Sequence, residues 1–457
     1  MKKKNHYQKS LVILLLASGL FAYTVFYALT YHQSYTAGYN NSMQQDEPQT
    51  IRLNTRTQQK RPRFILHPGP HKTGTTTIQC DLEDLMEDLV RYDSLVYSGK
   101  YQCQRRKAQL QYAKNKFQFP YYMPGNMVCL RDTFVKECDN ARPWNEFTTA
   151  LGAIHDKGNL NVLHSDEGLS RIDAKGLRQL NRALNNHDSW DVSVVIAYRW
   201  YFEWIASFYN EIYEAAGHWP ELKKWPGRHG GVAIPAFGDF LDIVLRGDVS
   251  SLDSSREQFI NTVHIVQGDN AFYHPSFVLR EKFRRHFADV LIFDIHDFEG
   301  DLTANFLCRV LNVKHTCAAQ ITKSEMEQVK SRNLSVDLHY DILVVAAYEA
   351  GYLLNQNLKR MDVVAKAKDR QENLGFSAKD FPMKCLFPSQ EEKLLKLSIK
   401  YERDIFPERF QNDHDAKKRE DALKNGFAKS IAKNKFCSID ATKVLNDEGW
   451  KLFFKAL

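Results

Sequence analysis

Lys72, Gly74 and the hydroxyls of Thr73, Thr75, Thr76 and Thr77 stand together in the run Arg-Phe-Ile-Leu-His-Pro-Gly-Pro-His-Lys-Thr-Gly-Thr-Thr-Thr-Ile-Gln from Arg63 to Gln79. A lysine, a glycine and a row of hydroxyls at the head of a helix have one evident chemical use, which is holding an anion. The N–H groups of a first helical turn lack intrahelical partners and point outward, and lysine and threonine add charge and hydrogen bonds. In a nucleoside-triphosphate loop the lysine directly follows the second glycine, with Ser or Thr next for the metal. Here the lysine precedes Gly74, so that pattern is not met.

A second set lies further along. Asp191 to Tyr198 reads as a buried strand and ends on Arg199, and a helix carrying Trp200, Glu203, Trp204, Ser207 and Tyr209 follows. A guanidinium makes a forked contact to phosphate oxygens, and a serine two helical turns on can add a hydroxyl to the same group. A third set, Ser165-Asp166-Glu167-Gly168, follows a short apolar run ending at His164. In a parallel α/β sheet, residues just beyond a strand's carboxyl end line the ligand crevice, so a carboxylate there can serve as a base. Glu167 is the first choice, with His164 and Asp166 behind it; Glu167 can equally be an N-cap or first-turn acid of the next helix. His71, inside the loop, reads as a spacer rather than a base.

These sets require strands that end at one edge and helices that start there. Phe64–Leu66, Asn159–His164, Asp191–Tyr198, Asn261–Val266 and Val290–Ile295 read as strands. Ile78, Leu82, Leu85 and Leu89 share one helical face, and Asp301 to Asn312 reads as another helix. The expected fold is α/β: a three-layer, P-loop-type parallel sheet flanked by helices, with irregular insertions. Two of these, from about Tyr97 to Asn145 and from Gly217 to Ser255, are read as variable loops. Basic and aromatic residues of the second (Lys223, Lys224, Trp225, Arg228, His229) are candidates to line an acceptor cleft.

With 457 residues, 43% of them hydrophobic, the chain is globular rather than disordered. A net charge of +7 mildly favours acidic partners and is far from that of a dedicated nucleic-acid binder. Lys2-Lys3-Lys4 and Lys9 precede the uncharged apolar run Leu11 to Leu29. Nineteen residues at ~1.5 Å each approach the ~30 Å hydrocarbon core, and basic flanks stay cytosolic. The expected layout is a cytoplasmic tail (1–10), a signal anchor (11–29), a flexible luminal stem (30–62), a catalytic domain (63–410) and a charged extension (411–457), within which Trp450 to Leu457 can dock as a short helix. A cleaved signal peptide, with Ala17-Ser18-Gly19 as its site, is the alternative. Asn40 and Asn333 head glycosylation sequons. Eight cysteines, with no Cys-x-x-Cys spacing, suit an oxidising compartment; Cys129/Cys138 and Cys308/Cys317 are the expected disulfides, and the other four are equally readable as buried thiols.

The Lys-Thr-Gly-Thr-Thr order resembles the 5′-phosphosulfate loop of sulfotransferases that use 3′-phosphoadenosine 5′-phosphosulfate (PAPS). The Tyr-Arg…Ser order is similar to the 3′-phosphate motif of the same superfamily. Asn-Phe-Leu-Cys-x-Val-Leu at 305–311, followed by a second cysteine, looks like the tail of its luminal, carbohydrate-directed members. The resemblance implies that His71, Lys72, Thr73, Gly74, Thr75, Thr76, Thr77, Arg199 and Ser207 hold PAPS, or its product PAP. It implies that Lys72 offsets charge on the bridging oxygen, that Glu167 or His164 takes the acceptor proton, and that no metal is required. It further implies a single-pass type II Golgi membrane protein whose acceptor is a glycan. A tyrosine-directed sulfotransferase, a nucleotide-dependent kinase with a degenerate loop, or a non-catalytic lectin-like protein of the same fold are the other readings.

Overall fold

The structure, a computed structural model, describes residues 61–70, 72–99, 142–157, 160–185, 190–213, 224–226, 234–246, 274–297, 300–326, 336–353, 357–377 and 380–457. The apolar run 11–29, the stem, both sequons, Cys129/Cys138, His71 and the expected strand 261–266 lie outside them. Gln59–Leu457 forms one compact unit.

Among the described residues its centre is a five-stranded sheet: β1 (Arg63–His67), β2 (Leu95–Gly99), β3 (Asn161–Ser165), β4 (Asp191–Tyr198) and β5 (Asp289–Asp294), in the spatial order β2-β3-β1-β4-β5. Every neighbouring pair is parallel; Leu66 sits opposite His164, and Phe64 opposite both Val162 and Val192. Both faces are covered, which is why β1, β3 and β4 read as near-continuous apolar runs. On one face Phe64, Leu66, Val162, Val194 and Ile196 pack under α3 (Arg142–His155), α4 (Ala174–Asn185) and α7 (Pro275–Arg284). On the other, Ile65, Leu163, Val195 and Phe293 pack against α1 (Thr75–Asp84), α2 (Met86–Asp93) and the helical stretch Leu302–Leu311. The chain is therefore a three-layer α/β protein.

The structure departs from the sequence reading in several places. Leu95–Gly99 is an edge strand that was not foreseen, and its last residues fall in the stretch expected to be irregular from about Tyr97. The single helix expected over 301–312 is a short α-turn, Leu302–Asn305, running into a π-helix, Phe306–Leu311. Phe237–Arg246 is helical (α6) inside the expected loop region. Trp225 does not line a cleft: it is buried, stacks on Tyr348 at 4.6 Å and donates to the Leu358 carbonyl.

Residues 411–457 are part of the same body. α12 (Asp413–Ala432) and α13 (Glu448–Lys455) bury Leu423, Phe427, Trp450 and Phe454 in one cluster with Phe202 and Trp204 of α5 (Tyr201–Tyr213). Each such side chain contributes about 1.5–3 kcal/mol on burial. α12 lies so close to Trp200 that a Cβ on Gly426 would fall 2.1 Å from the indole. Cys308–Cys317 is bonded as expected; Cys385–Cys437 is also bonded and ties β6 (Met383–Cys385) to β7 (Cys437–Ile439), and Cys80 is disulfide-bonded as well.

Candidate functional site

The strand order places β1 centrally, with the chain passing outward to β2 and β3 on one side and to β4 and β5 on the other. In such sheets the crevice opens beyond the carboxyl ends at this reversal. The loop after β1, Asp166-Glu167 after β3 and Arg199 after β4 all fall there.

Among the described residues of the loop from Pro68 to Gly74 the backbone is left-handed three times, with φ of 100° at Gly69, 64° at Lys72 and 83° at Gly74. Gly74 is the N-cap of α1 and supplies no capping side chain, so the first-turn N–H groups of that helix receive no side-chain cap. Thr73 Oγ1 donates to the Pro70 carbonyl at 2.7 Å and fixes the turn. Thr75 Oγ1 donates to Glu167 Oε2 at 3.2 Å, while Thr76 and Thr77 are exposed. A lysine held at positive φ costs of order 1 kcal/mol or more, and such strain persists where its surroundings enforce it. Here Arg199 Nη1 donates to the Lys72 carbonyl at 3.2 Å.

Arg199 is in turn caged. Its Nε donates to Glu203 Oε2 at 3.2 Å, and Lys435 Nζ meets Glu203 Oε1 at 2.9 Å. Burial alone would raise the Glu203 carboxyl; Arg199, then His296 and Lys435, more than offset it and bring it to about 2. His296 accepts from the Trp200 N–H at 3.2 Å and stacks on its indole. Burial lowers His296 to about 4, so near neutrality it meets Glu203 as an uncharged ring and the charged partners are Arg199 and Lys435. The Arg199 carbonyl is fixed from beneath by buried His274, whose Nε2 lies 2.8 Å away while its Nδ1 accepts from Ser276 N. That pairing requires the Nε2–H tautomer, and burial holds the ring neutral with a value of about 3.

Arg199, Glu203, Ser207 and Glu211 recur at intervals of four and so share one stripe of α5 and its entrance. One end of the stripe bonds the Lys72 carbonyl; at the other, Glu211 Oε2 lies 3.8 Å from Lys72 Nζ. Ser207, partly exposed, falls between them.

A scan of family models and searches of curated proteins and solved structures return no match.

The expected bases are divided. Glu167 is at the loop: a Cβ on Gly69 would stand 3.2 Å from its Cα, and its carboxylate takes the Thr75 hydroxyl. Asp166 caps the 3-10 turn Glu167–Arg171 by accepting from Gly168 N at 2.8 Å. His164 is fully buried, paired through Nδ1 with Ser98 Oγ at 3.0 Å and set edge-on to Phe147 of α3. Burial lowers it to about 4. It belongs to the sheet interior, as does His67, which pairs with Ser165 Oγ at 2.9 Å. Among the described residues no group of three or more His, Cys, Asp or Glu is placed to hold a metal ion.

Glu203, Glu211, His274, His296 and Lys435 were not singled out as site residues from the sequence. Only Glu203 and Glu211 carried a signal, the spacing of four from Arg199.

Proposed function

We propose that the chain transfers a sulfuryl group from PAPS to a hydroxyl or amine of a glycan in the secretory lumen. The observation that carries this reading is the bond between Arg199 and the Lys72 carbonyl. It joins the two stretches that resemble the 5′- and 3′-phosphate motifs at one crevice, as a single nucleotide with two separate phosphate groups would need. The residues present fit such a donor. Uncapped N–H groups of α1 with the exposed Thr76 would hold the 5′-phosphate, while Thr75, buried and bonded to Glu167, shapes the turn; Arg199 with Ser207 would hold the 3′-phosphate. On this reading the central sheet is of the P-loop type, used for a sulfate donor rather than a triphosphate. Cys308–Cys317 and Cys385–Cys437 support an oxidising compartment, in keeping with a Golgi membrane protein anchored through 11–29.

Sulfuryl transfer resembles phosphoryl transfer in that the protein mostly positions the reactants and offsets developing charge. Lys72 is the residue for the leaving oxygen. Of Glu167, His164 and Asp166, only Glu167 offers the loop a carboxylate not committed to capping.

The test uses the full-length protein with radiolabelled PAPS and a panel of desulfated glycans and tyrosine peptides. Label on a glycan, together with a rise in melting temperature on adding PAP, is the expected result. Absence of both transfer and PAP stabilisation would refute the proposal. Label on tyrosine peptides alone would move the acceptor to protein.

A further inference from the structure

Lys435 lies 232 residues after Glu203, and the turn that follows α12 delivers it to that carboxylate. Asn434 takes a left-handed φ of 54°, a conformation that asparagine tolerates and that commonly ends a helix. The Lys435 N–H donates to the Ser430 carbonyl at 3.1 Å. On the other side Phe436 is buried, stacked on Phe427 and edge-on to Phe202 of α5, and Cys437 is bonded to Cys385. Phe202 immediately precedes Glu203, so the packing that seats Phe436 also brings the lysine to the carboxylate.

A guanidinium beside a carboxylate tends to pair with both of its oxygens. Arg199 meets only one: Nε donates to Glu203 Oε2 at 3.2 Å, while Oε1 is held by Lys435 Nζ at 2.9 Å. Arg199 Nη1 donates to the Lys72 carbonyl, and Nη2 bonds no protein atom among the described residues. The arginine side chain is 24% exposed at the crevice. Two cations thus share one carboxylate, which leaves a positive excess and an open edge of the guanidinium where an anion can seat. Lys435 is itself 37% exposed, so removing its side chain opens no cavity.

We propose that Lys435 is a positioning residue that sets selectivity for a nucleotide carrying a 3′-phosphate; this rests on the sulfuryl-transfer reading above. By occupying one oxygen of Glu203 it keeps that carboxylate from closing on Nη2, and so leaves the open edge of Arg199 to the phosphate. Lys435 acts through Glu203 and does not touch the nucleotide. Without it, Glu203 takes Arg199 as a forked partner, and the 3′-phosphate has to compete with a carboxylate for the same N–H groups.

The experiment uses titration calorimetry on the full-length protein with PAP and with adenosine 5′-phosphate, which lacks the 3′ group. Wild type is compared with Lys435→Ala, Lys435→Arg, Glu203→Gln and the double variant Glu203→Gln/Lys435→Ala. Lys435→Ala is expected to bind PAP about tenfold more weakly, and adenosine 5′-phosphate within about twofold of wild type. Lys435→Arg keeps the charge on Glu203 and is expected to bind PAP within about threefold of wild type. In the Glu203→Gln background the alanine change is expected to cost less than about twofold, because the uncharged amide holds Arg199 only weakly. A Lys435→Ala protein that binds PAP as wild type does would overturn the proposal. So would a loss that persists undiminished in the Glu203→Gln background, which would make Lys435 itself a phosphate contact. An equal loss for both nucleotides would overturn it too, by making the role one of general docking. A wild type that binds neither nucleotide would instead sink the parent reading, so the two failures are distinguishable.

Discussion

Lys72 is one-third exposed and its ammonium meets Glu211 across 3.8 Å, so its side chain is not part of the core. Lys72→Ala should leave the melting temperature nearly unchanged while lowering transfer by about 10²–10³, the usual cost of removing a group that offsets developing charge. Survival of full activity would show that the loop holds something other than the donor. Glu203 is a test of the opposite kind. It touches Arg199 and Lys435 and stands behind the loop; Glu203→Gln should weaken PAP binding about fivefold, equivalent to roughly 1 kcal/mol, by loosening Arg199. Titration calorimetry with PAP reads this directly, and an unchanged affinity would remove the cage from the binding site.

At the scale of elements, the strands that build the crevice were legible because parallel strands covered on both faces cannot hide their apolar character. β1, β3, β4 and β5 were readable this way. β2 was not, since Leu-Val-Tyr-Ser-Gly is short and lies at the sheet edge. α12 was unreadable as a structural part because what secures it is charge brought from far away. Arg419 bonds Asp294 at the end of β5 and Glu402 of α11 (Pro388–Ile405); Arg409 bonds Asp294 and Asp297; the Tyr198 hydroxyl donates to Glu402. In sequence these are merely scattered acids and bases. Three carboxylates facing two guanidiniums favour one shared proton, and burial with Asp294 beside it raises Glu402 to about 7. Arg419→Leu should strand two buried carboxylates and cost about 3–5 kcal/mol. In differential scanning calorimetry that is a fall on the order of 5 °C, and adding Glu402→Leu should restore part of it. Simple additivity of the two losses would show that the residues do not act as one cluster.

For the whole molecule, acid is the weak direction. His67, His164, His274 and His296 are buried, and burial depresses each from 6.5, to about 4 for three of them and about 3 for His274. A depressed folded value means that the unfolded chain takes up the proton first, so stability present above pH 6.5 is lost as the pH falls toward 4. Each ring contributes up to about 2 kcal/mol of loss by pH 5. Glu402, raised from 4.5 to about 7, acts with the reverse sign and gains stability over the same interval, but one group opposes four. The melting temperature should therefore drop between pH 7 and pH 5, and Glu402→Gln should steepen the drop. A flat profile would mean that the rings find water and protons more easily than their burial implies.

The Lys435–Glu203 contact has a further consequence, for timing. The loop and β1 leave the ribosome early, and Arg199 follows. The lysine that completes the cage behind Arg199 is added more than two hundred residues after Glu203, on the segment that Cys437 fastens to Cys385. A nascent chain synthesised at ~5–20 residues per second thus carries the proposed anion site unfinished for at least ten seconds or so. On the proposed function, activity would be gained in one late step, when the C-terminal helices dock, rather than growing with the sheet.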